Sequence, residues 1–547
     1  MANSWRSRQR LLDLGAPFLL LILPLALFWR VAIGSQTLVP GDNLYQFEPY
    51  RSYSEQQGVA LPPHNELLSD LVLENLAWKQ FILQSIQARE APLWNPYLFG
   101  GAPFLAAGQH SALYPFSILF YVLPVTRAYG LFTVLQLWLA GGFMYLFIRV
   151  LRLGRFPALI AGVVYQLSAF FLVSVVFTMI IAAAAWLPLL LAIVELMVRK
   201  QEDKGAGPFV PIWYVLAGAV ALGMVILAGH PEILVYTLLV MAYYALVRLA
   251  MLWWRLRSAG VAGVARWRPV LRLAIWLGFM VGIGLGLGSV QLIPLVELVT
   301  RSFREGSVTY GDVIGWAYPA RQIATFVVPD FFGNPAHHGY WDLVTRQWVP
   351  VSSIFWGIKN YVEAGSYVGI LPLLLAIVAV VGSRSSPHRR QIWIFAALAV
   401  VSLLLVFGTP LYAILYYGLP GVKQLHSPFR WVFPYTLSVS VLAGFGVDCL
   451  RSRASRTVNC LAWTAFWIGI ALVAVSIVIW AAPTSFIPLA DRFLAAVEQV
   501  QQAFSSGQML LSYQWRSFLI LGLMLAAAGA VARISRCPIY LPRRLWS

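Results

Sequence analysis

Residues 210–254 read VPIWYVLAGAVALGMVILAGHPEILVYTLLVMAYYALVRLAMLWW. Two apolar runs, 210–229 and 232–254, meet at His230-Pro231-Glu232. Each is long enough to cross a hydrocarbon core of about 30 Å, which takes about 20 helical residues. The chain then turns basic, from Arg255 to Arg272. Apolar runs joined by short polar or basic segments recur along the chain. Twelve are expected to be spans: 13–33, 127–149, 156–176, 178–198, 210–229, 232–254, 272–296, 366–382, 391–408, 431–449, 459–482 and 517–533. The segment 112–125 is too short to cross and reads as re-entrant or interfacial.

Composition supports this reading. Of 547 residues 60% are apolar and 11% charged, against roughly 25% charged in a soluble domain. Charge that scarce cannot cover a water-facing surface, which excludes a soluble enzyme, a disordered chain and a fibrous repeat. The net charge of +18 suggests nucleic acid until the cations are placed. They sit in short clusters between apolar runs, with no Lys/Arg stripe, so membrane lipids are the expected partner and nucleic acid is not. The clusters Arg6/Arg8/Arg10, Arg149/Arg152/Arg155, Arg199/Lys200/Lys204, Arg384/Arg389/Arg390 and Arg451/Arg453/Arg456 fall in alternate loops. Positive charge in alternate loops puts both termini in the cytoplasm of a twelve-span, all-α protein of the cytoplasmic membrane. On that orientation Cys449, Cys460 and Cys537 are cytoplasmic, and no disulfide framework is expected. The first run is read as an uncleaved signal anchor, with a cleaved signal peptide as the alternative.

Long connections mark the outer face: 34–126, 297–365, 409–430 and 483–516. The expected division is a catalytic module over 1–450, carrying loops 34–126 and 297–365, and a C-terminal module over 451–547. ATP and nucleotide sugars are absent outside, and the chain lacks a G-x-x-x-x-G-K-[ST] loop. Outer-face chemistry therefore needs a donor already carried across the membrane. Residues 65–90 predict an amphipathic helix, with Leu67, Leu68, Leu71, Val72, Trp78, Ile82 and Ile86 on one arc. Its apolar arc lies in lipid on one reading and packs within a small soluble subdomain on the other.

Asp42, in Val39-Pro40-Gly41-Asp42-Asn43, follows the first span. A carboxylate at the edge of lipid has its pKa raised toward the range useful for a general base; a solvated loop aspartate is the alternative. Glu48 carries the same two readings. The fourth outer loop holds Arg301, Arg304, Arg321, Arg346 and Lys359 with Asp330, Asp342 and Glu363, and the next holds Lys423, His426 and Arg430. Arg304, Arg430, Lys359, Arg321 and His426 are candidates for a lipid phosphate, since guanidinium groups bind phosphate bidentately. Surface ion pairing with the nearby acids is the competing reading. Trp94 and Tyr361 are candidates for stacking on a sugar, with interfacial packing as the alternative, and Asn95, His110, His230, Glu297, Asp330 and Glu363 for contacting substrate; His230-Pro231-Glu232 reads equally as a capped helix start. His337-His338 lacks metal-site spacing. Glu195 and Arg30 lie near span ends, where snorkelling explains them. Midplanes poor in ionisable groups argue for a surface enzyme over an ion-coupled carrier.

Several stretches in order carry a resemblance. Gly41-Asp42-Asn43, Pro92-Leu93-Trp94-Asn95-Pro96-Tyr97 and Gly100-Gly101-Ala102-Pro103-Phe104 open it. Gln291-Leu292-Ile293-Pro294 with Glu297, Val328-Pro329-Asp330-Phe331-Phe332-Gly333 and Asn360-Tyr361-Val362-Glu363 continue it. Ser427-Pro428-Phe429-Arg430 and Leu442-Ala443-Gly444-Phe445-Gly446 close it. Over residues 40–450 the chain resembles the YfhO family of bacterial multi-span proteins, which is similar to the GT-C glycosyltransferases. The resemblance implies transfer of a sugar from a polyprenyl-phosphate donor to a cell-envelope glycopolymer or glycolipid, with Asp42 as general base. It also implies that a divalent metal serves some members through an acidic pair, but Leu44 stands two residues on from Asp42 where D-x-D would need an acid. A lipid-linked saccharide flippase and a non-catalytic envelope-assembly scaffold are the other classes considered.

Overall fold

The computed structural model describes residues 2–59, 63, 65–302, 308–419, 421–424, 427–451 and 456–534. All twelve apolar runs fall on helices, and the strands described are three short antiparallel pairs within the loops. Among the described residues, nine helices are long and apolar enough to cross a membrane: Val125–Val150, Arg155–Val173, Thr178–Lys204, Pro231–Ser258, Gly263–Leu287, Arg389–Val406, Pro428–Leu450, Arg456–Ala481 and Gly507–Ile534. Gly15–Leu27, Ile212–Leu227, Ser289–Thr300 and Ile370–Ser385 are shorter apolar helices. The chain is thus a multi-pass membrane protein by the length and composition of its helices.

Burial sorts these helices into centre and rim. The apolar windows of Thr178–Lys204 and Pro428–Leu450 are 89% and 94% buried, whereas those of Gly263–Leu287, Arg456–Ala481 and Gly507–Ile534 are 22% buried. The last two pack backbone to backbone: a Cβ at Gly469 or Gly529 would run into the main chain of the facing helix.

Three expectations change. The run expected over 272–296 starts earlier, at Gly263, and breaks at Gly288 into Gly263–Leu287 and Ser289–Thr300. Arg266, Arg268 and Arg272 therefore lie on helical turns, where long side chains can reach water from an apolar helix. The helix expected over 65–90 forms as a 3-10 turn at Glu66–Leu68, a π turn at Leu71–Leu76 and an α-helix at Ala77–Gln87. The buried stripe is Leu71, Val72, Asn75, Lys79, Ile82 and Ser85, so it takes in the polar Asn75, Lys79 and Ser85 that the expected arc left out. That stripe packs into the protein, with Leu71 in the main core, and Ile86 is left exposed. Glu195 does not snorkel. It is fully buried, and its carboxylate accepts from Arg248 Nε at 2.6 Å and Nη2 at 3.1 Å and from Tyr244 OH at 2.8 Å. Arg199 approaches it at 3.0 Å.

The long loops gather at one end of the helix layer. Gly229 adopts a φ of +87°, and a Cβ there would strike the Gly108 carbonyl; only glycine lets loop 34–126 approach so closely. Ser111 Oγ donates to the Ala228 carbonyl at 2.7 Å, and Gln291 Nε2 to that of Leu105 at 2.7 Å. Loop 297–365 has a small core of its own, in which Phe332, Ile354 and Trp356 pack with Val500, Phe504, Met509, Leu510 and Tyr513. Gln508 donates to Asp342 at 2.8 Å, and Gln514 to the Phe331 carbonyl at 2.7 Å. Packing thus runs across the expected boundary at 450/451.

Candidate functional site

The polar centre of the loop end forms where the helix Pro231–Ser258 begins. Proline in its first turn has no N–H to lose, and His230 caps the start by accepting the Ile233 N–H on Nδ1 at 3.3 Å. Glu232 in that first turn accepts from Ser427 Oγ on Oε1 and from Arg430 Nε on Oε2, both at 2.7 Å. Tyr236, one turn further along, donates to the Ser427 carbonyl at 2.7 Å. Residues four apart share a helix face, so a single face grips residue 427 twice. The turn Pro428–Trp431 then leads into the helix Val432–Arg451. Arg430 spends one donor on Glu232; among the described residues its two terminal nitrogens make no hydrogen bond. Burial and the Arg430 charge lower the His230 pKa to about 3, so its ring is neutral.

The loop supplies the remaining charges. Lys359 is buried, with Nζ 5.2 Å from the Trp316 ring centre and 5.5 Å from that of Phe429. Among the described residues no carboxylate lies within ion-pair distance of it. Burial lowers its pKa, and Glu363 opposes that shift. Burial raises the Glu363 pKa; Lys359 and Arg430 oppose the rise and Glu232 adds to it. Tyr318 OH donates to the Glu363 carbonyl at 2.6 Å and fixes the turn. Tyr361 OH donates to Asp330 Oδ1 at 2.7 Å, and Asn334 Nδ2 to the same oxygen at 3.3 Å. A narrow cleft of about 20 Å³, room for about one water, lies alongside, lined by Gln322, Thr325, Phe355, Lys359, Tyr361 and Ser366. Two cations, two acids and nearby aromatic rings make a polar basin whose cations can attract an anion.

Of the residues singled out, the fold brings together Arg430, Lys359, Glu363 and His230, with Tyr361 and Asp330 on the same loop. Arg304 and His426 lie outside the described residues. Arg321 stacks over Phe332 and Trp356 and donates to Gln499 at 3.3 Å, so it braces the small core. Asp42 is half-buried in the 3-10 turn Gly41–Gln46. Asn43 Nδ2 donates to the Asn65 carbonyl at 2.8 Å, and Gln46 Nε2 to Ser69 Oγ at 3.2 Å, which ties that turn to the segment before Leu71. Glu48 is exposed and accepts from Ser52 Oγ at 2.6 Å. Trp94 is exposed in the strand pair with Ala102–Pro103, and Asn95 is buried and accepts the Tyr97 N–H at 2.9 Å. Glu297 is an exposed helix residue paired with Arg301 at 3.0 Å.

His110 is a structural residue. Its ring stacks on Phe104 with centroids 4.2 Å apart, Nδ1 accepts the Ala112 N–H at 3.0 Å, and Nε2 donates to the Phe104 carbonyl at 3.0 Å. Burial and nearby Lys79 lower its pKa to about 4. Lys79 itself was missed in the sequence. It is fully buried, donates to the His110 carbonyl at 2.6 Å and lies 4.5 Å from the Phe120 ring centre. Burial lowers its pKa to about 7. Its position three residues before Ile82, on the stripe of Val72 and Asn75, was the available signal. Glu232 and Ser427 were missed as partners of Arg430; acid in the first turn of a span was the signal there.

Among the described residues no three His, Cys, Asp or Glu side chains converge on a common point. Compared with protein families, curated proteins and solved structures, the chain matches none.

Proposed function

We propose that the chain is a GT-C-like membrane glycosyltransferase with twelve spans, both termini cytoplasmic and the loop end outside the cytoplasmic membrane. It takes a sugar from a polyprenyl-phosphate donor and places it on a cell-envelope glycopolymer or glycolipid. The observation that carries this reading is the polar basin: among the described residues Lys359 has no carboxylate at ion-pair distance and the terminal nitrogens of Arg430 make no hydrogen bond. Those donors suit a phosphate held at the membrane surface. The acceptor hydroxyl oxygen attacks the anomeric carbon, the bond from that carbon to the phosphate oxygen breaks, and the electron pair leaves with the phosphate. The hydroxyl proton passes to a carboxylate, for which we assign Asp42. One observation favours a second candidate: Glu363 shares the basin with both cations, and burial raises its proton affinity.

The full-length chain in proteoliposomes, supplied with a polyprenyl-phosphate hexose, tests this. Asp42→Asn is expected to slow transfer by about 10²- to 10⁴-fold with donor binding intact, the usual cost of losing a general base. Lys359→Met is expected to weaken donor binding by roughly 10- to 100-fold, the worth of a charge-assisted hydrogen bond. Loss in Glu363→Gln with wild-type rates in Asp42→Asn moves the base to Glu363, whose activity then rises with pH through a value above the ordinary glutamate range. Wild-type transfer in both carboxylate variants and unchanged donor binding in Lys359→Met would sink the enzyme reading.

A further inference from the structure

At the end of the helix layer away from the Lys359 cleft, a groove of about 490 Å³ runs between the helices Pro231–Ser258 and Arg389–Val406. Tyr243, Val247 and Met251 form one wall, at four-residue spacing on a single helix face. Arg389, Arg390 and the half-exposed Trp393 form the other. Tyr243 OH donates to the Ile394 carbonyl at 2.9 Å and closes the deep side. The arginines nearby are engaged: Arg248 and Arg199 on Glu195, Arg255 on Glu202 at 3.1 Å. Arg389 and Arg390 are exposed, and among the described residues neither makes a hydrogen bond or an ion pair, with Asp448 included. The helix begins at Arg389 with no side-chain cap, its Arg389 N–H donating to the Ser386 carbonyl at 3.2 Å.

We propose that this groove binds an anionic phospholipid, its phosphate on Arg389 and Arg390 and one acyl chain along Tyr243, Val247, Met251 and Trp393. Two uncommitted guanidinium groups above an apolar wall match a headgroup above a hydrocarbon tail. A soluble anion would use the rim and leave the wall bare. The site is independent of sugar transfer, so its failure and that of the enzyme reading are separable.

The test is native mass spectrometry of the full-length protein released from phosphatidylcholine nanodiscs made with or without phosphatidylglycerol. Wild-type protein is expected to retain phosphatidylglycerol in preference to phosphatidylcholine. Arg389→Gln with Arg390→Gln is expected to lower that retention about 30-fold, the worth of two cations at a lipid surface, while the double lysine variant keeps most of it. Equal retention in the double glutamine variant would overturn the proposal. So would an equal loss from Arg268→Gln, which marks general attraction to a basic face, or displacement by inorganic phosphate alone, which marks a free-anion site.

Discussion

The helix Pro231–Ser258 meets an acid–arginine contact at each end, and the two are built differently. Near its C-terminal end, Arg248 directs Nε and Nη2 to Glu195 and Nη1 toward Glu202 at 3.4 Å, while Tyr244 and Arg199 complete the Glu195 carboxylate. All three Arg248 nitrogens have an acidic partner, and the Arg248–Glu195 pair is sealed from solvent. At the N-terminal end, Glu232 is equally well served, but Arg430 gives it only one of its donors and stays 20% exposed. A saturated charge cluster locks two helices together. An unsaturated one retains capacity for a ligand, and the same residue types serve both ends.

The contrast breaks if the closed cluster proves dispensable. Arg248→Ala leaves the Glu195 carboxylate buried beside a single remaining cation, and should cost about 3–5 kcal/mol. Denaturant unfolding in detergent measures it, and a loss below that of an exposed pair would refute the lock. Glu232→Gln probes the open end. It should cost less, about 1.5–3 kcal/mol, the worth of a hydrogen bond to a charged group, while changing donor affinity more than Arg248→Ala does in the folded fraction. Equal effects on stability and binding at the two ends would erase the distinction.

Lys79 sharpens the comparison through pH, because among the described residues it is buried with no acid paired to it. Its folded pKa is depressed from 10.5 to about 7, so the folded state binds fewer protons than the unfolded chain between those values. Stability therefore rises with pH across that window and is flat below it. Lys79→Met should remove the slope and raise the unfolding midpoint at neutral pH, as read from thermal scans at pH 7 and above. A retained slope would mean that the lysine is not its source.

The helices were legible because a membrane core imposes one demand, an uninterrupted apolar run, that shows in any single stretch of sequence. Pairings between distant stretches did not show. Glu232 and Arg430 are 198 residues apart, and nothing local at either position names the other. The surface helix failed for a different reason. At constant rotation Val72, Asn75, Lys79, Ile82 and Ile86 share one arc, so Lys79 lay on the buried side and was passed over because a lysine is seldom buried, while Ile86, beside the helix end at Gln87, is exposed. Glu195 was misread because its nearness to a helix end suggested escape to water, whereas its partners come from a neighbouring helix. The loop cations Lys359 and Arg430 were identifiable from residue type alone, but their joint placement needed the fold.

The small core that joins Phe332 and Trp356 to Val500, Phe504 and Tyr513 has a consequence for biogenesis. The ribosome makes the middle loop long before the segment that completes its packing. Until the hairpin over 456–534 has been synthesised and inserted, Phe332 and Trp356 belong to an unfinished core, and a nascent chain stalled before residue 490 would present them uncovered.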